Sequence, residues 1–167
     1  MVTRPGLEYR SEKYYVAIRK QVSIPFGELL PPLWGEVGAW LAGKGMAPSG
    51  VPFIRYLTTD MAKKLDIEVG FPVVTAVPGD ERISAGVIPA GRYATLVYSG
   101  PYDNEGLVNA TAGLLAWAEA NHITWQTSIR DQIEWWEARY EFYLTNPAEE
   151  PDSQKWQTEL AFLVAEK

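Results

Sequence analysis

Apolar and polar positions alternate in short runs punctuated by Gly and Pro, and two stretches carry helical spacing instead. Residues 1–13 are polar apart from Leu7 and Tyr9, and read as a lead-in that pairs with a sheet edge. Val16, Ile18 and Val22 alternate with polar residues over 14–23, a strand that Pro25 ends. Leu29, Leu33, Val37, Trp40 and Leu41 recur at helical spacing over 28–43. Pro31 and Pro32 fit that helix only in its first turn, where a missing N–H does no harm. Gly43-Lys44-Gly45 supplies its stop. Strands follow over 53–58 and 66–77, the second with Ile67, Val69, Phe71 and Val73 on one face, joined by a connection at 59–65. A turn at Pro78-Gly79-Asp80-Glu81, a short strand over 82–88 and a turn at Pro89-Ala90-Gly91 close this half.

The second half repeats the plan. A strand over 93–99 leads through Gly100-Pro101-Tyr102-Asp103 to a helix over 104–121, with Asp103 as its cap and Leu114, Leu115, Trp117 and Ala118 as its apolar side. Tyr140–Thr145 aligns with Phe53–Thr58, sharing Tyr-Leu-Thr, and Thr158–Val164 aligns with Ile67–Val73, sharing a Glu and a Phe. Trp117 then matches Trp40, and Leu114 matches Val37. This argues for a duplicated β-α-β-β unit, with halves at about 14–77 and 82–167 of a single domain spanning 1–167. Two such units joined edge to edge predict an α+β fold: an antiparallel sheet with pseudo-twofold symmetry and both main helices on one face. Two departures break the symmetry. Ile54 of the first half becomes Glu141 in the second, and the second half carries an insertion at 123–139 with Trp125, Trp135 and Trp136. The sheet's other face needs a cover, which the aromatic insertion is expected to supply.

The strand at 140–147 therefore matters most. Its period of two puts Tyr140, Phe142 and Leu144 on one face, and Glu141 with Tyr143 on the other. Glu141 is either a solvated strand carboxylate or the charged member of an aromatic cavity, where burial raises its pKa and suits it to a cation or to proton transfer. Tyr56 and Tyr143 hold equivalent positions in the two halves and are the favoured pocket walls. Trp40 and Trp117 read as core. If the insertion is extended there, Trp135 and Trp136 point to opposite sides, so at most one faces the cavity. Arg139 shares the Glu141 face, and either neutralises that carboxylate in the empty state or belongs to the surface. His122 ends a helix and has no partner placeable from sequence.

Composition narrows the classes. The 167 residues, 47% of them hydrophobic, support one substantial core. Seven Trp and nine Tyr are many for this length, so some rings are expected at a rim or pocket. With no Cys and one His, disulfides and thiolate or His-rich metal sites are excluded, and no cofactor or metal is expected. A formal charge of −6 argues against a duplex-DNA surface and suits cationic small molecules. No apolar run approaches a membrane span and the N-terminus lacks a signal-peptide core, so a cytoplasmic protein without membrane contact is expected. Two motif matches carry nothing. Gly38–Gly45 imitates a phosphate loop but has Gly45 where Ser or Thr is needed, and the Asn109-Ala110-Thr111 sequon lies mid-helix.

Taken together, Ile88-Pro89-Ala90-Gly91-Arg92-Tyr93-Ala94, Gly100-Pro101-Tyr102-Asp103, Trp117, Tyr140–Pro147 and Thr158-Glu159-Leu160 resemble the GyrI-like small-molecule-binding domain. This is also the effector-binding domain of multidrug-sensing transcription factors. The resemblance runs from about residue 14 to the end. It implies a duplicated β-α-β-β (SHS2-like) fold with a pocket near the pseudo-twofold axis, in which a Glu at the Glu141 position meets aromatic cations among rings and Tyr143 also faces the pocket. The ligand-binding candidates are Glu141, Tyr143, Tyr56 and Ile54, with Phe71, Tyr93, Trp125 and Trp136 as further walls. A stand-alone subgroup hydrolyses cyclopropane-bearing natural products with the Glu and a Tyr, which makes Glu141 and Tyr143 catalytic candidates for a small-molecule hydrolase. The chain lacks the DNA-binding helices of the regulators, so direct nucleic-acid binding is not expected. The family name also raises a topoisomerase as a protein partner.

Overall fold

A computed structural model describes residues 1–60, 64–102 and 104–166. Its strands are β1 (Gly6–Arg10), β2 (Lys13–Val22), β3 (Phe53–Tyr56), β4 (Leu65–Val73), β5 (Ser84–Ile88), β6 (Gly91–Ser99), β7 (Thr127–Arg130), β8 (Ile133–Trp136), β9 (Arg139–Tyr143) and β10 (Gln157–Leu163). The helices are α1 (Leu30–Gly43) and α2 (Asn104–Ala120). The Asp103 cap, and residues 61–63 of the connection before β4, lie outside the described residues. Eight strands form one curled antiparallel sheet in the order β1-β6-β10-β9-β3-β4-β2-β5, and β7-β8 form a separate hairpin. The polar lead-in pairs with a sheet edge as its pattern predicts, β1 lying against β6.

The two halves meet at β3 and β9. Phe53 pairs with Phe142, Ile54 with Glu141 and Arg55 with Tyr140. A local twofold axis therefore passes between Ile54 and Glu141, with β9-β10-β6 on one side and β3-β4-β2 on the other. The strand alternation then sorts every side chain. Ile54, Tyr56, Ile67, Val69, Glu141, Tyr143, Leu160 and Phe162 share the helix face, fixed by the pairings of Ile54 with Val69 and of Leu160 with Glu141. In α1, Leu30, Leu33, Val37 and Leu41 are buried against this face. Burying each contributes about 1.5–3 kcal/mol. The stripe begins one residue later than its spacing suggested, because Gly27–Leu29 form a separate 3-10 turn that leaves Leu29 exposed. Trp40, read as core, is only half-buried, and its Nε1 donates to Asp80 Oδ2 at 2.9 Å.

The other face carries a second cluster of Tyr15, Phe53, Tyr93, Tyr140 and Leu163. Within it the Arg55 guanidinium donates to Glu68 at 2.7 Å, and the Tyr15 hydroxyl donates to the same carboxylate at 2.5 Å. Here β4 and β2 approach closely: a Cβ on Gly70 would come within 2.1 Å of the Val16 carbonyl oxygen. The insertion divides between the two faces. Trp125 and Trp136 pack with Leu114, Leu160 and Phe162 beside α2, whereas Ala138 joins the second cluster, the Glu137 carbonyl accepts from Arg55 at 2.8 Å, and the Trp135 ring lies by Arg19. The cause is the β8–β9 junction, where Trp136 N–H donates to the Leu57 carbonyl at 2.8 Å and turns the ring toward Phe162.

Candidate functional site

Glu141 sits at the pseudo-twofold axis and is only 7% exposed. β9 presents it to the helix face, and the phenols at the two equivalent strand positions converge on one of its oxygens. Tyr143 donates to Oε1 at 2.7 Å, and Tyr56 donates to the same atom at 3.2 Å. Desolvation pushes the carboxyl pKa up, while the two phenols and the Arg139 charge hold it down. Both phenols are pushed well above the usual tyrosine range, first by burial and then by the adjacent carboxylate.

Further rings close over these three side chains. Tyr143 meets Trp34 of α1 edge-on at 5.2 Å, and Tyr102, from the turn before α2, at 5.1 Å. Tyr102 continues onto Trp156 at 4.9 Å, and Phe26 packs on Tyr56 at 6.4 Å. The covering rings are anchored, since Trp34 Nε1 donates to the Phe53 carbonyl at 3.1 Å and the Tyr102 hydroxyl donates to the Thr145 carbonyl at 2.7 Å. On the other flank Arg139 lies among Trp136, Phe162 and Tyr56. Trp136 Nε1 and Arg139 Nε are both buried without a hydrogen-bond partner.

The rings of Tyr143, Tyr56, Trp34 and Tyr102 thus pack closely around Glu141. Two cavities lie elsewhere among the described residues. One of about 220 Å³ lies at the end of α2, between Arg92, Trp117, His122 and Val164. The other, of about 310 Å³, is bounded by Gln21, Thr58, Asp66 and Trp135.

Of the residues singled out from sequence, Glu141, Tyr143, Tyr56 and Ile54 come together. Trp136 flanks them, and Trp125 stands behind it at 5.8 Å. Trp135 points the other way, as extended geometry requires, and its ring lies 4.5 Å from the Arg130 guanidinium. Phe71 shares the face but is on β4, two strands across and two residues along from Glu141, roughly 12 Å away at ordinary strand spacing. Tyr93 is corrected outright. Its pairing with Leu163 puts it on the opposite face, where its hydroxyl donates to the Pro89 carbonyl at 2.7 Å. Trp34, Tyr102, Phe26 and Phe162 border the site but were not among the sequence candidates. Tyr102 had a signal, the Gly-Pro-Tyr-Asp turn, and Phe162 had one in its place across from Arg139.

No group of His, Cys, Asp or Glu among the described residues is arranged to hold a metal ion. Nor is any helix among them long and apolar enough to cross a membrane.

The sequence matches the GyrI-like small molecule binding domain over residues 4–165. The fold is similar to that of the EcmrR C-terminal domain, with a TM-score of 0.73 at 24% identity over 98% of both chains. It is also similar to EcmrR in a DNA complex, with a TM-score of 0.80 at 24% identity. That match covers 98% of this chain but 58% of the other, so the chain spans little more than half that protein's length. SAV2435 bound to tetraphenylphosphonium has a TM-score of 0.60 at 9% identity, covering 98% of this chain and 94% of that one. A hydrolase from Listeria innocua has a TM-score of 0.59 at 13% identity, covering 97% and 92%. No curated protein sequence matches this chain.

Proposed function

This chain belongs to the GyrI-like small-molecule-binding domain family, and we propose that its ligands are aromatic cations, held at Glu141 for sensing or sequestering drugs. One observation carries the reading: a buried carboxylate on the pseudo-twofold axis, bonded by two phenols and enclosed by rings. A cation entering this space meets a charge that water does not screen, and each well-placed ring face adds about 0.5–2 kcal/mol. SAV2435, which shares the fold, is seen bound to tetraphenylphosphonium, a ligand of that chemistry. Because rings pack closely around Glu141, binding requires those of Tyr143, Trp34 and Tyr102 to part. The test is a tetraphenylphosphonium titration followed by tryptophan fluorescence. Glu141→Gln keeps the shape and removes the charge, so its affinity should fall at least tenfold. Unchanged affinity would dismiss the electrostatic reading.

A second reading rests on the 2.7 Å bond between Tyr143 and Glu141. A carboxylate raised by burial can take a proton from water as the water oxygen attacks a cyclopropane carbon, while a neighbouring phenol protonates the conjugated carbonyl oxygen that receives the electron pair of the broken C–C bond. The pair would then hydrolyse an electrophilic cyclopropane-bearing compound, and a hydrolase from Listeria innocua shares the fold. Product formed over many turnovers and lost in Tyr143→Phe supports hydrolysis, whereas stoichiometric binding without product returns the chain to the first reading.

A further inference from the structure

Arg139 opens β9 and points onto the same face as Glu141, across from Phe162 of β10. Its guanidinium carbon lies 4.5 Å from the ring centres of Trp136 and Phe162, and 5.9 Å from that of Tyr56. Elsewhere in this protein buried carboxylates take their arginines directly. Arg19 makes a two-pronged contact with Asp66 at 2.9 and 2.6 Å, and Arg55 reaches Glu68 at 2.7 Å. Arg139 does neither. It forms no ion pair and no hydrogen bond with the described residues, and its Nε is buried without a partner. A cation is thus kept in a box of three rings, next to a buried negative charge, by forces that a free aromatic cation would reproduce.

We infer that Arg139 is a tethered stand-in for the ligand, filling the cation position of the empty site and leaving it when a free aromatic cation enters. This rests on the reading of Glu141 as the ligand's charge partner. Leaving breaks no hydrogen bond to the described residues, and it returns the partnerless Nε to water. Glu134, exposed on the adjoining β8, attracts the departing charge. Occupancy by Arg139 also sets specificity. A neutral aromatic that expelled it would leave Glu141 buried and unpaired, whereas a monocation exchanges charge for charge. The tether lowers the apparent affinity for every ligand by the fraction of time the box is filled.

Two measurements decide the matter, with tetraphenylphosphonium as the probe. Arg139→Met keeps a stem of similar length without the charge, and should bind at least tenfold more tightly than the unaltered chain. An affinity equal to the unaltered chain's, or weaker, overturns the inference. In the unaltered chain, the Arg139 Nε–H resonance should be shifted by the three rings before titration and move to the position of a solvated arginine at saturation. A resonance that stays ring-shifted at saturation overturns it as well, whether or not Arg139→Met folds. Glu141→Gln separates this inference from its premise. If that variant binds like the unaltered chain, the Glu141 reading fails. If it loses binding while Arg139→Met gains none, only the tethered cation is wrong. Binding by neither the unaltered chain nor Arg139→Met removes both.

Discussion

Replacing Tyr143 by Phe deletes one oxygen and keeps the ring that packs on Trp34 and Tyr102, so it isolates the hydrogen bond to Glu141. That bond is 2.7 Å long, ends on a carboxylate and is buried. Hydrogen bonds to charged groups contribute about 1.5–3 kcal/mol, toward the upper end when no water can replace the donor. For a chain of this length the loss lowers the melting temperature by about 3–12 °C. Tyr56→Phe removes the longer, 3.2 Å contact to the same oxygen, and should cost about 0.5–1.5 kcal/mol. The assay is urea unfolding of both single variants, of Glu141→Gln and of the two double variants, at pH 4 and pH 7.5. The phenol bonds hold the carboxyl pKa down, so they favour its ionised form. The cost of Tyr143→Phe should therefore be larger at pH 7.5 than at pH 4, and smaller in a Glu141→Gln background at pH 7.5. A Tyr143→Phe protein as stable as the unaltered chain at pH 7.5, or a Tyr56→Phe loss exceeding that of Tyr143→Phe, would refute the geometry on which the site depends.

Burial raises the Glu141 carboxyl pKa, so tetraphenylphosphonium affinity should weaken on acidification from a higher pH than an exposed glutamate would give; calorimetric titration across pH 4–8 should show Glu141→Gln flat over that range. The same elevation has a sign for stability: the group's contribution is full below the unfolded glutamate pKa of about 4.3 and lost as pH rises through the folded value, so Glu141→Gln should gain on the unaltered chain between pH 4 and pH 8 in thermal melts. Arg55→Ala strands the Glu68 carboxylate, 7% exposed on its side chain, with only the Tyr15 bond, and should cost about 3–5 kcal/mol in urea unfolding at pH 7; a smaller loss in Arg55→Ala/Glu68→Gln would identify the stranded charge as the cause. Ile54→Glu places a second carboxylate opposite the first, and should be far less stable at pH 7.5 than at pH 4.5, with Ile54→Gln much less sensitive; equal losses at both pH values would mean the two side chains do not face each other.

The architecture was legible because two periods, 2 and 3.6, recur in the same order in both halves, and neither needs tertiary information. The same alternation put Glu141 and Tyr143 on one face, and the alignment of the halves added Tyr56. Tyr93 is out of step with Ala94 and Leu96 on β6, as Tyr15 is with Val16 and Ile18 on β2, and both lie on the face opposite the site, Tyr15 bonded to Glu68. Phe71 shows a different limit, since alternation gives a residue's face but not its distance across the sheet. The hairpin carried a weak signal because its turn residues, Asp131 and Gln132, adopt φ of 53° and 66° without the Asn-Gly or Asp-Gly pair that usually marks such a turn. Least legible was the close packing of rings around Glu141. Trp34 sits beside the α1 stripe rather than on it, and its contact with Tyr143 exists only once helix and sheet have packed.

The lone charge at the axis follows from the pairing itself. Residues opposite each other on antiparallel strands carry Cβ atoms about 4.5–5.5 Å apart, and Ile54 stands opposite Glu141. A duplication that kept Glu in both halves would set two buried carboxylates at that separation, and only one of them could ionise near neutral pH. The site would then offer one charge at the expense of two desolvated groups. With Ile in both halves it would offer none, and the space beside Phe162 and Trp136 would hold no reason for a cation. One Glu against one Ile leaves a single buried carboxylate at the axis, with the Arg139 guanidinium on the same face. On the proposed reading, the departure from the repeat is what fits this symmetric backbone to hold one positive charge.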